Sequence, residues 1–156
     1  MLRLTVDRLA PLLDPDHVWV VTGPEQAAAV RQELPDLPPE HILVEPAGRN
    51  TAPCIGVAAS VLAARGAGDE TMLVLAADHV IRAAERFRDV LHACDLHLQA
   101  HDHLLTLGIL PTRPETGYGY IRRGEARRDF GGQPFFAVER FVEKPDAPTA
   151  AHLVAD

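Results

Sequence analysis

A short, uninterrupted apolar run at residues 72–77 constrains the fold of this chain more than any other stretch. The run shows no polar alternation and ends abruptly in Asp78 and His79. Such a run is typical of a strand that is buried on both faces in a parallel α/β sheet. Ligands of these sheets gather outside the carboxyl ends of the strands. Asp78 is therefore placed where a carboxylate can bind a divalent metal, although it can also simply cap the following turn.

Helix and strand patterns alternate on both sides of this run. Strands are predicted over 17–22, 41–45, 72–77, 104–110, 118–122 and 135–143. Helices are predicted over 2–13, 25–34, 52–65, 83–99 and 148–154. The short links between these elements favour an α/β fold with a mainly parallel sheet and helices on both faces. Because the chain begins with a helix and stops in or just after one, we expect a single partial domain over 1–156, incomplete at both ends.

Composition narrows the function classes. Hydrophobic residues make up 47% of the 156 residues, which is typical of a globular chain, and no apolar run is long enough for a membrane span. The net charge of -7 argues against nucleic acid as a partner. Cys54 and Cys94 have no second cysteine at metal-ligand spacing, which favours buried thiols in a reducing cytoplasm. No HExxH motif is present, and we predict no zinc site.

A loop over 45–53 is the first candidate site. Its Asn50 or Thr51 is a good helix cap, and free backbone N–H groups at a helix start attract anions and carbonyl acceptors. Gly48 lets a flat ring approach the backbone. The alternative is an ordinary capped loop.

A second candidate site is split between residues 115–120 and 141–145. Two glycines flank Tyr118 at a strand start, which suits close approach of a ligand to the backbone. Glu143 can accept sugar hydroxyl hydrogens, and Lys144, which is the single lysine of the chain, can hold a phosphate. Neighbours on a strand point to opposite faces, so at most one of this pair faces a cleft unless the strand has ended. The alternative is an exposed pair before a proline turn.

Four stretches of the sequence resemble the mannose-1-phosphate guanylyltransferases. They are Glu-Pro-Ala-Gly-Arg-Asn-Thr-Ala-Pro (45–53), Leu-Ala-Ala-Asp-His (75–79), Thr-Leu-Gly-Ile-Leu-Pro-Thr-Arg-Pro-Glu-Thr-Gly-Tyr-Gly-Tyr-Ile (106–121) and Arg-Phe-Val-Glu-Lys-Pro (140–145). The second and fourth also occur in the wider sugar-1-phosphate nucleotidyltransferases, whereas the first and third point to the mannose and GTP branch. Together, in this order, the four stretches are specific.

The resemblance implies a Rossmann-like, GT-A-like nucleotidyltransferase fold and a cytoplasmic enzyme of GDP-mannose biosynthesis. In the implied reaction GTP and mannose 1-phosphate give GDP-mannose and pyrophosphate. The implied cofactor is Mg²⁺, held by Asp78. Catalysis is assigned to Asp78 and Lys144. The implied nucleotide-binding residues are Glu45, Gly48, Arg49, Asn50 and Thr51, with Arg49 alternatively bracing the loop. The implied sugar-phosphate-binding residues are Gly117, Tyr118, Glu143 and Lys144.

The chain also departs from this family. The glycine-rich signature, Gly-Gly-x-Gly-x-Arg-Leu followed by a Pro-Lys pair, is absent, as is the sugar-side Trp-Asn-Ser-Gly region. We therefore expect residues 1–156 alone to be inactive or nearly so, since several electrostatic stabilisers are missing together. The alternatives are a non-catalytic binding or remnant domain with a weak pocket, and a sibling enzyme using another sugar or base. A missing strand would leave an unpaired sheet edge, which predicts marginal stability or self-association.

Overall fold

The computed structural model describes residues 1–155, which form two compact units that divide between His92 and Ala93. The chain is mixed α/β, as predicted, and its described part contains a parallel pair of strands, an antiparallel hairpin, five α-helices and two short 3-10 helices, Pro15–His17 and Pro39–His41. No helix there is both long and apolar enough to cross a bilayer. The prediction of a single domain over 1–156 stays a prediction.

The first unit is built on a parallel strand pair. Strands β1 (Val20–Thr22) and β2 (Ile42–Val44) run in register from Val20 opposite Ile42. Helix α2 (Ala27–Glu33) connects them, as parallel neighbours require a crossover. Helix α1 (Leu2–Asp7) lies against the same core. The buried core side chains are Val18, Val30, Leu34, Leu37 and Ile42, with Leu2, Val6 and Val20 packed against them.

Helix α3 (Thr51–Ala64) follows β2 through the candidate loop, and helix α4 (Ala84–Ala100) follows residues 72–83. Small residues dominate α3, but only Ala58 is buried, so little of its surface is covered in the described chain. Helical spacing predicts an apolar stripe on α4 that includes Leu91, and the structure buries Leu91; Ala93, which lies outside that stripe, is buried as well.

The second unit contains an antiparallel hairpin. Strands β3 (Gly119–Ala126) and β4 (Phe136–Glu143) pair from Gly119 opposite Glu143, with irregular register between Arg122 and Ala126. Helix α5 (Ala147–Ala155) follows β4. The carboxylate of Asp146 accepts a hydrogen bond from the Thr149 N–H at 2.9 Å, which caps the first turn of α5.

Two predicted strands are wrong. Residues 72–77 and 104–110 form no strand, and no hydrogen bond between backbone groups joins either run to another segment of residues 1–155. Val74 is 48% exposed and Ile109 is 85% exposed. A strand exists only when a neighbour supplies ladder hydrogen bonds, and the local apolar pattern does not encode that neighbour. Both runs therefore keep a strand-like composition without strand pairing.

Candidate functional site

The hairpin brings together the two halves of the split candidate site. Gly119 lies opposite Glu143 in the β3–β4 register. The backbone N–H of Lys144 donates to the carbonyl oxygen of Tyr118 at 3.2 Å. Residues separated by about twenty-five positions in sequence thus meet at one end of the hairpin because antiparallel pairing carries the end of β4 back to the start of β3.

Lys144 lies just beyond the end of β4, where side-chain alternation no longer applies. Its φ is 43°, in the left-handed region that is uncommon for a residue other than glycine. Its Nζ atom lies 3.9 Å from Oε1 of Glu143, and both side chains are largely exposed. The strand therefore ends at Glu143, and the alternation of side chains along a strand does not separate this pair. The Glu143 carboxylate and the Lys144 ammonium project to the same region.

Two glycines at this end of the hairpin have different surroundings. A Cβ atom on Gly119 would lie 2.7 Å from Oε2 of Glu143, so a side chain there would displace the carboxylate. A Cβ atom on Gly117 would meet no atom within 4 Å. The backbone at Gly117 is thus open to an approaching molecule, while Gly119 leaves room for Glu143. Tyr118, between them, is 70% exposed.

The turn that leads into β3 is fixed by side chains. The backbone N–H of Glu115 donates to the hydroxyl oxygen of Tyr120 at 2.8 Å. Nε of Arg113 donates to Oε1 of Glu115 at 2.6 Å. Sequence reasoning assigned no role to either Tyr120 or Arg113. The sequence alone does not indicate that the turn brings the Glu115 N–H to the Tyr120 hydroxyl.

The loop over 45–53 leaves the parallel pair at the carboxyl end of β2. The N–H of Glu45 donates to the Thr22 carbonyl at 2.9 Å, which extends the pairing by one residue. Asn50 occupies the N-cap position of α3, yet its side chain makes no capping hydrogen bond. Its φ of 68° and ψ of -175° lie in a region that is almost reserved for glycine. Asn50 is thus at the N-cap position that the sequence predicts, but its side chain does not form the capping hydrogen bond.

The remaining residues of this loop are largely open. Gly48, Arg49 and Thr51 are exposed, and a Cβ atom on Gly48 would meet nothing within 4 Å. Burial raises the pKa of the Cys54 thiol in the first turn of α3, and the nearby Glu45 carboxylate raises it further. Because a raised pKa keeps the thiol protonated, Cys54 is a poor nucleophile. The effect of Glu45 on the pKa of Cys54 also places the Glu45 carboxylate within electrostatic range of the start of α3.

Asp78 lies in an exposed turn after residues 72–77. Helix α1 holds the backbone on both sides of it. The hydroxyl of the buried Thr5 donates to the Ala77 carbonyl at 3.3 Å, and Nη2 of Arg8 donates to the His79 carbonyl at 3.0 Å. Thr5 and Arg8 were missed by sequence reasoning, although they stand three apart on one face of a helix. Within residues 1–155 no hydrogen bond or ion pair engages the Asp78 carboxylate.

The exposed Asp78 carboxylate is one residue that could hold a divalent metal. An exposed carboxylate without a protein partner offers hard oxygen ligands, and Mg²⁺ is usually held by one or two carboxylates together with substrate phosphates. The described residues contain no cluster of three or more His, Cys, Asp or Glu side chains suited to a metal.

A histidine cluster in the second unit was also missed. Nε2 of His97 and Nδ1 of His103 lie 3.0 Å apart, and the ring of His101 stacks on His97 with centroids 4.5 Å apart. The rings of Phe130 and Phe135 pack against His97. The spacing His-x3-His-x-His at 97–103 was the available signal. Because His97 is buried among these aromatic rings, we interpret the cluster as a packing unit.

The sequence places the 45–53 loop, Asp78 and the split site after predicted strand ends, which predicts that they converge over one sheet edge. The structure joins Gly117 and Tyr118 to Glu143 and Lys144. The convergence of this pair with the 45–53 loop and Asp78 over one sheet edge stays a prediction, as does the role of each residue in binding.

Comparison with known proteins gives a consistent match over the whole chain. The family model described as Nucleotidyl transferase matches residues 1–156. A mannose-1-phosphate guanylyltransferase of Escherichia coli is 42% identical over 157 residues, covering 99% of this chain and 32% of the relative. The xanthan biosynthesis protein XanB of Xanthomonas campestris pv. campestris (strain B100) is 44% identical over 159 residues, with the same two coverages. The chain thus spans about a third of the length of these curated relatives.

Proposed function

Because the chain belongs to the nucleotidyl transferase family, we propose that it forms part of an enzyme that transfers GMP from GTP to mannose 1-phosphate. The products are GDP-mannose and pyrophosphate. A phosphate oxygen of the sugar phosphate attacks the α-phosphorus of GTP, a new P–O bond forms, and the bond from that phosphorus to the bridging oxygen breaks. Such phosphoryl chemistry depends on positioning and charge neutralisation rather than on covalent help from the protein.

The single observation that carries the proposal is the meeting of Lys144 with Tyr118. A backbone open to a ring, a carboxylate that accepts hydroxyl hydrogens and an ammonium that binds a phosphate are the three requirements of a hexose 1-phosphate. Gly117, Glu143 and Lys144 supply them within one end of the hairpin. Glu143 would bind the sugar hydroxyls, and Lys144 would hold the attacking phosphate.

The 45–53 loop is proposed to hold the nucleotide. The free N–H groups at the start of α3 and the unbonded Asn50 side chain offer donors to a purine carbonyl or a ribose oxygen. The open space above Gly48 fits a flat ring. Glu45 would accept hydrogens from the base, Thr51 would add a hydroxyl, and Arg49 would either contact the nucleotide or brace the loop.

Asp78 is proposed to hold Mg²⁺ as a hard carboxylate ligand. When bound, this ion neutralises phosphate charge and so favours displacement of pyrophosphate. Thr5 and Arg8 keep the turn in place through its carbonyl groups. The cytoplasmic location and the low activity expected for residues 1–156 alone stay predictions.

Titration calorimetry on the 156-residue chain tests the sugar half of the proposal. Mannose 1-phosphate is expected to bind, and Lys144→Gln is expected to weaken binding by about tenfold or more, since a charge-assisted bond contributes roughly 1.5–3 kcal/mol. Arg140→Gln, which removes a cation from the preceding strand β4, is the matched control. Absence of binding by the unsubstituted chain at millimolar sugar phosphate would contradict the proposal.

A second titration separates the sibling enzymes. GTP, ATP and UTP, and likewise mannose 1-phosphate and glucose 1-phosphate, are compared with Mg²⁺ present. Preference for GTP and the mannose compound supports the proposed reaction, and preference for another base or sugar supports a sibling. Formation of GDP-mannose, followed by chromatography, measures activity directly, and little or no product is expected from residues 1–156 alone.

A further inference from the structure

The turn over 111–118 contains no regular secondary structure, and its shape depends on few bonds. Within residues 1–155 its backbone makes one backbone hydrogen bond, from the Lys144 N–H to the Tyr118 carbonyl. Gly117 adds conformational freedom in the middle of the turn. A segment of this kind samples many shapes unless side chains restrain it, and each shape presents a different surface to a ligand.

Tyr120 supplies the missing restraint. Its ring is half-buried in β3, and its hydroxyl oxygen accepts the Glu115 N–H at 2.8 Å. The bond closes the segment from Glu115 to Tyr120, and Gly117 and Tyr118 lie inside that segment. The Arg113–Glu115 ion pair adds a second restraint, but both its side chains are at least one-third exposed, so water weakens it.

From this geometry we propose that Tyr120 is a positioning residue, whose hydroxyl holds the Gly117–Tyr118 backbone in the shape that receives the sugar phosphate. The inference rests on the proposed function for the identity of the ligand. Tyr120 acts through the Glu115 amide and touches no reacting atom. A preorganised turn loses less entropy on binding than a mobile one, so the hydroxyl contributes to affinity without contacting the ligand.

The test compares Tyr120→Phe with the unsubstituted 156-residue chain. Phenylalanine keeps the ring in the strand and removes only the acceptor oxygen. Arg122→Gln, two residues further along β3, is the matched control, because it removes only an exposed ion pair to Glu139. Amide hydrogen exchange measured by NMR reports on the turn, and calorimetry with mannose 1-phosphate reports on binding.

Tyr120→Phe is expected to speed exchange of the Glu115 amide and to weaken mannose 1-phosphate binding about fivefold, the loss of one ordinary hydrogen bond. Exchange in the middle of β4 is expected to stay unchanged, and Arg122→Gln is expected to alter neither readout. Unchanged Glu115 exchange overturns the inference, as does faster exchange with unaltered affinity. If the unsubstituted chain does not bind the sugar phosphate, the proposed function fails, whereas Glu115 exchange still decides whether Tyr120 holds the turn.

Discussion

Lys144 and Tyr118 are joined by a backbone hydrogen bond of 3.2 Å, from the lysine N–H to the tyrosine carbonyl. The bond closes the hairpin one residue beyond the end of β4. It also places the single lysine of the chain beside the glycine-flanked turn. Two stretches that the sequence assigned to one candidate site are therefore neighbours through main-chain pairing.

Strain coincides with the candidate residues. In the described part of the chain, the non-glycine residues with positive φ are Asn50 and Lys144. A left-handed conformation costs an L-residue roughly 1–2 kcal/mol. Strained backbone is often found at ligand sites, where the side chain is needed for a reason other than stability. The two outliers thus support the assignments of the 45–53 loop and of the Glu143–Lys144 pair.

Lys144→Gly is expected to separate stability from binding. Glycine adopts a φ of 43° without strain, but it also gains freedom in the unfolded chain, so the net gain in the free energy of unfolding is up to about 1 kcal/mol. Binding of mannose 1-phosphate is expected to weaken by about tenfold or more, as in Lys144→Gln, because the ammonium is removed. Urea unfolding and calorimetry measure the two effects. Lys144→Gln is the control that keeps the strain and removes the charge, and a marked loss of stability in Lys144→Gly would contradict the strain argument.

Gly117→Ala is expected to leave stability nearly unchanged and to weaken sugar-phosphate binding. An added methyl group meets no atom within 4 Å in the free chain, so it clashes only with a bound molecule. Gly124→Ala is the contrasting control, because its Cβ atom would lie 3.3 Å from the Ala137 carbonyl inside the hairpin. That variant should lose stability by about 1 kcal/mol or more from steric strain. Equal binding by Gly117→Ala and the parent chain would exclude a ligand above this backbone.

The local elements of this fold could be predicted from sequence. The apolar stripe of α4, the β-branched runs at β1 and β2, and the strand that became β4 each carry their own periodic signal. The α/β class followed from their order. Site residues were placed on loops at strand ends, and the meeting of Tyr118 with Lys144 agrees with that placement.

Long-range partners could not be predicted in the same way. Residues 72–77 look like a buried strand, but pairing depends on a neighbour elsewhere in a polypeptide, and within residues 1–155 none pairs with them. The restraints from Thr5 and Tyr120 depend on how a helix and a turn lie in space. No sequence pattern indicates which carbonyl or amide group a hydroxyl will bond, whether the partner lies 72 residues away, as for Thr5, or 5 residues away, as for Tyr120.

Acid is expected to destabilise the second unit through His97. Its side chain is 5% exposed, and Nδ1 is buried without a hydrogen-bond partner among residues 1–155. Burial lowers the pKa of His97, and the neighbouring His101 and His103 lower it further. The unfolded chain therefore takes up a proton near pH 6.5 while the folded chain resists it, so stability is full above about pH 6.5 and falls as the pH drops through the lowered folded pKa.

Urea unfolding between pH 5 and pH 8 measures this dependence. His97→Phe is expected to flatten the profile above pH 5, since an aromatic ring remains against Phe130 and Phe135 without a titrating group. His92→Gln, an exposed histidine of α4, is the control and is expected to leave the slope unchanged. A flat profile for the parent chain would contradict the argument. Protonation of Asp146, whose pKa is lowered by its bonds to Thr149, is expected to act only below about pH 4.

Self-association is expected from the unpaired apolar runs. Ile109 is 85% exposed and Leu110 75% exposed, in a segment of high strand propensity that has no pairing partner in the described chain. Unpaired N–H and C=O groups beside apolar side chains recruit strands from other molecules.

Ile109→Lys is expected to raise the monomer fraction, because a charge in such a segment opposes edge-to-edge pairing. Val57→Lys adds the same charge on the exposed face of α3 and is the control. Sedimentation velocity from micromolar to submillimolar chain measures the change, and a parent chain that stays monomeric with a sharp, concentration-independent melting transition would show that these runs do not drive assembly.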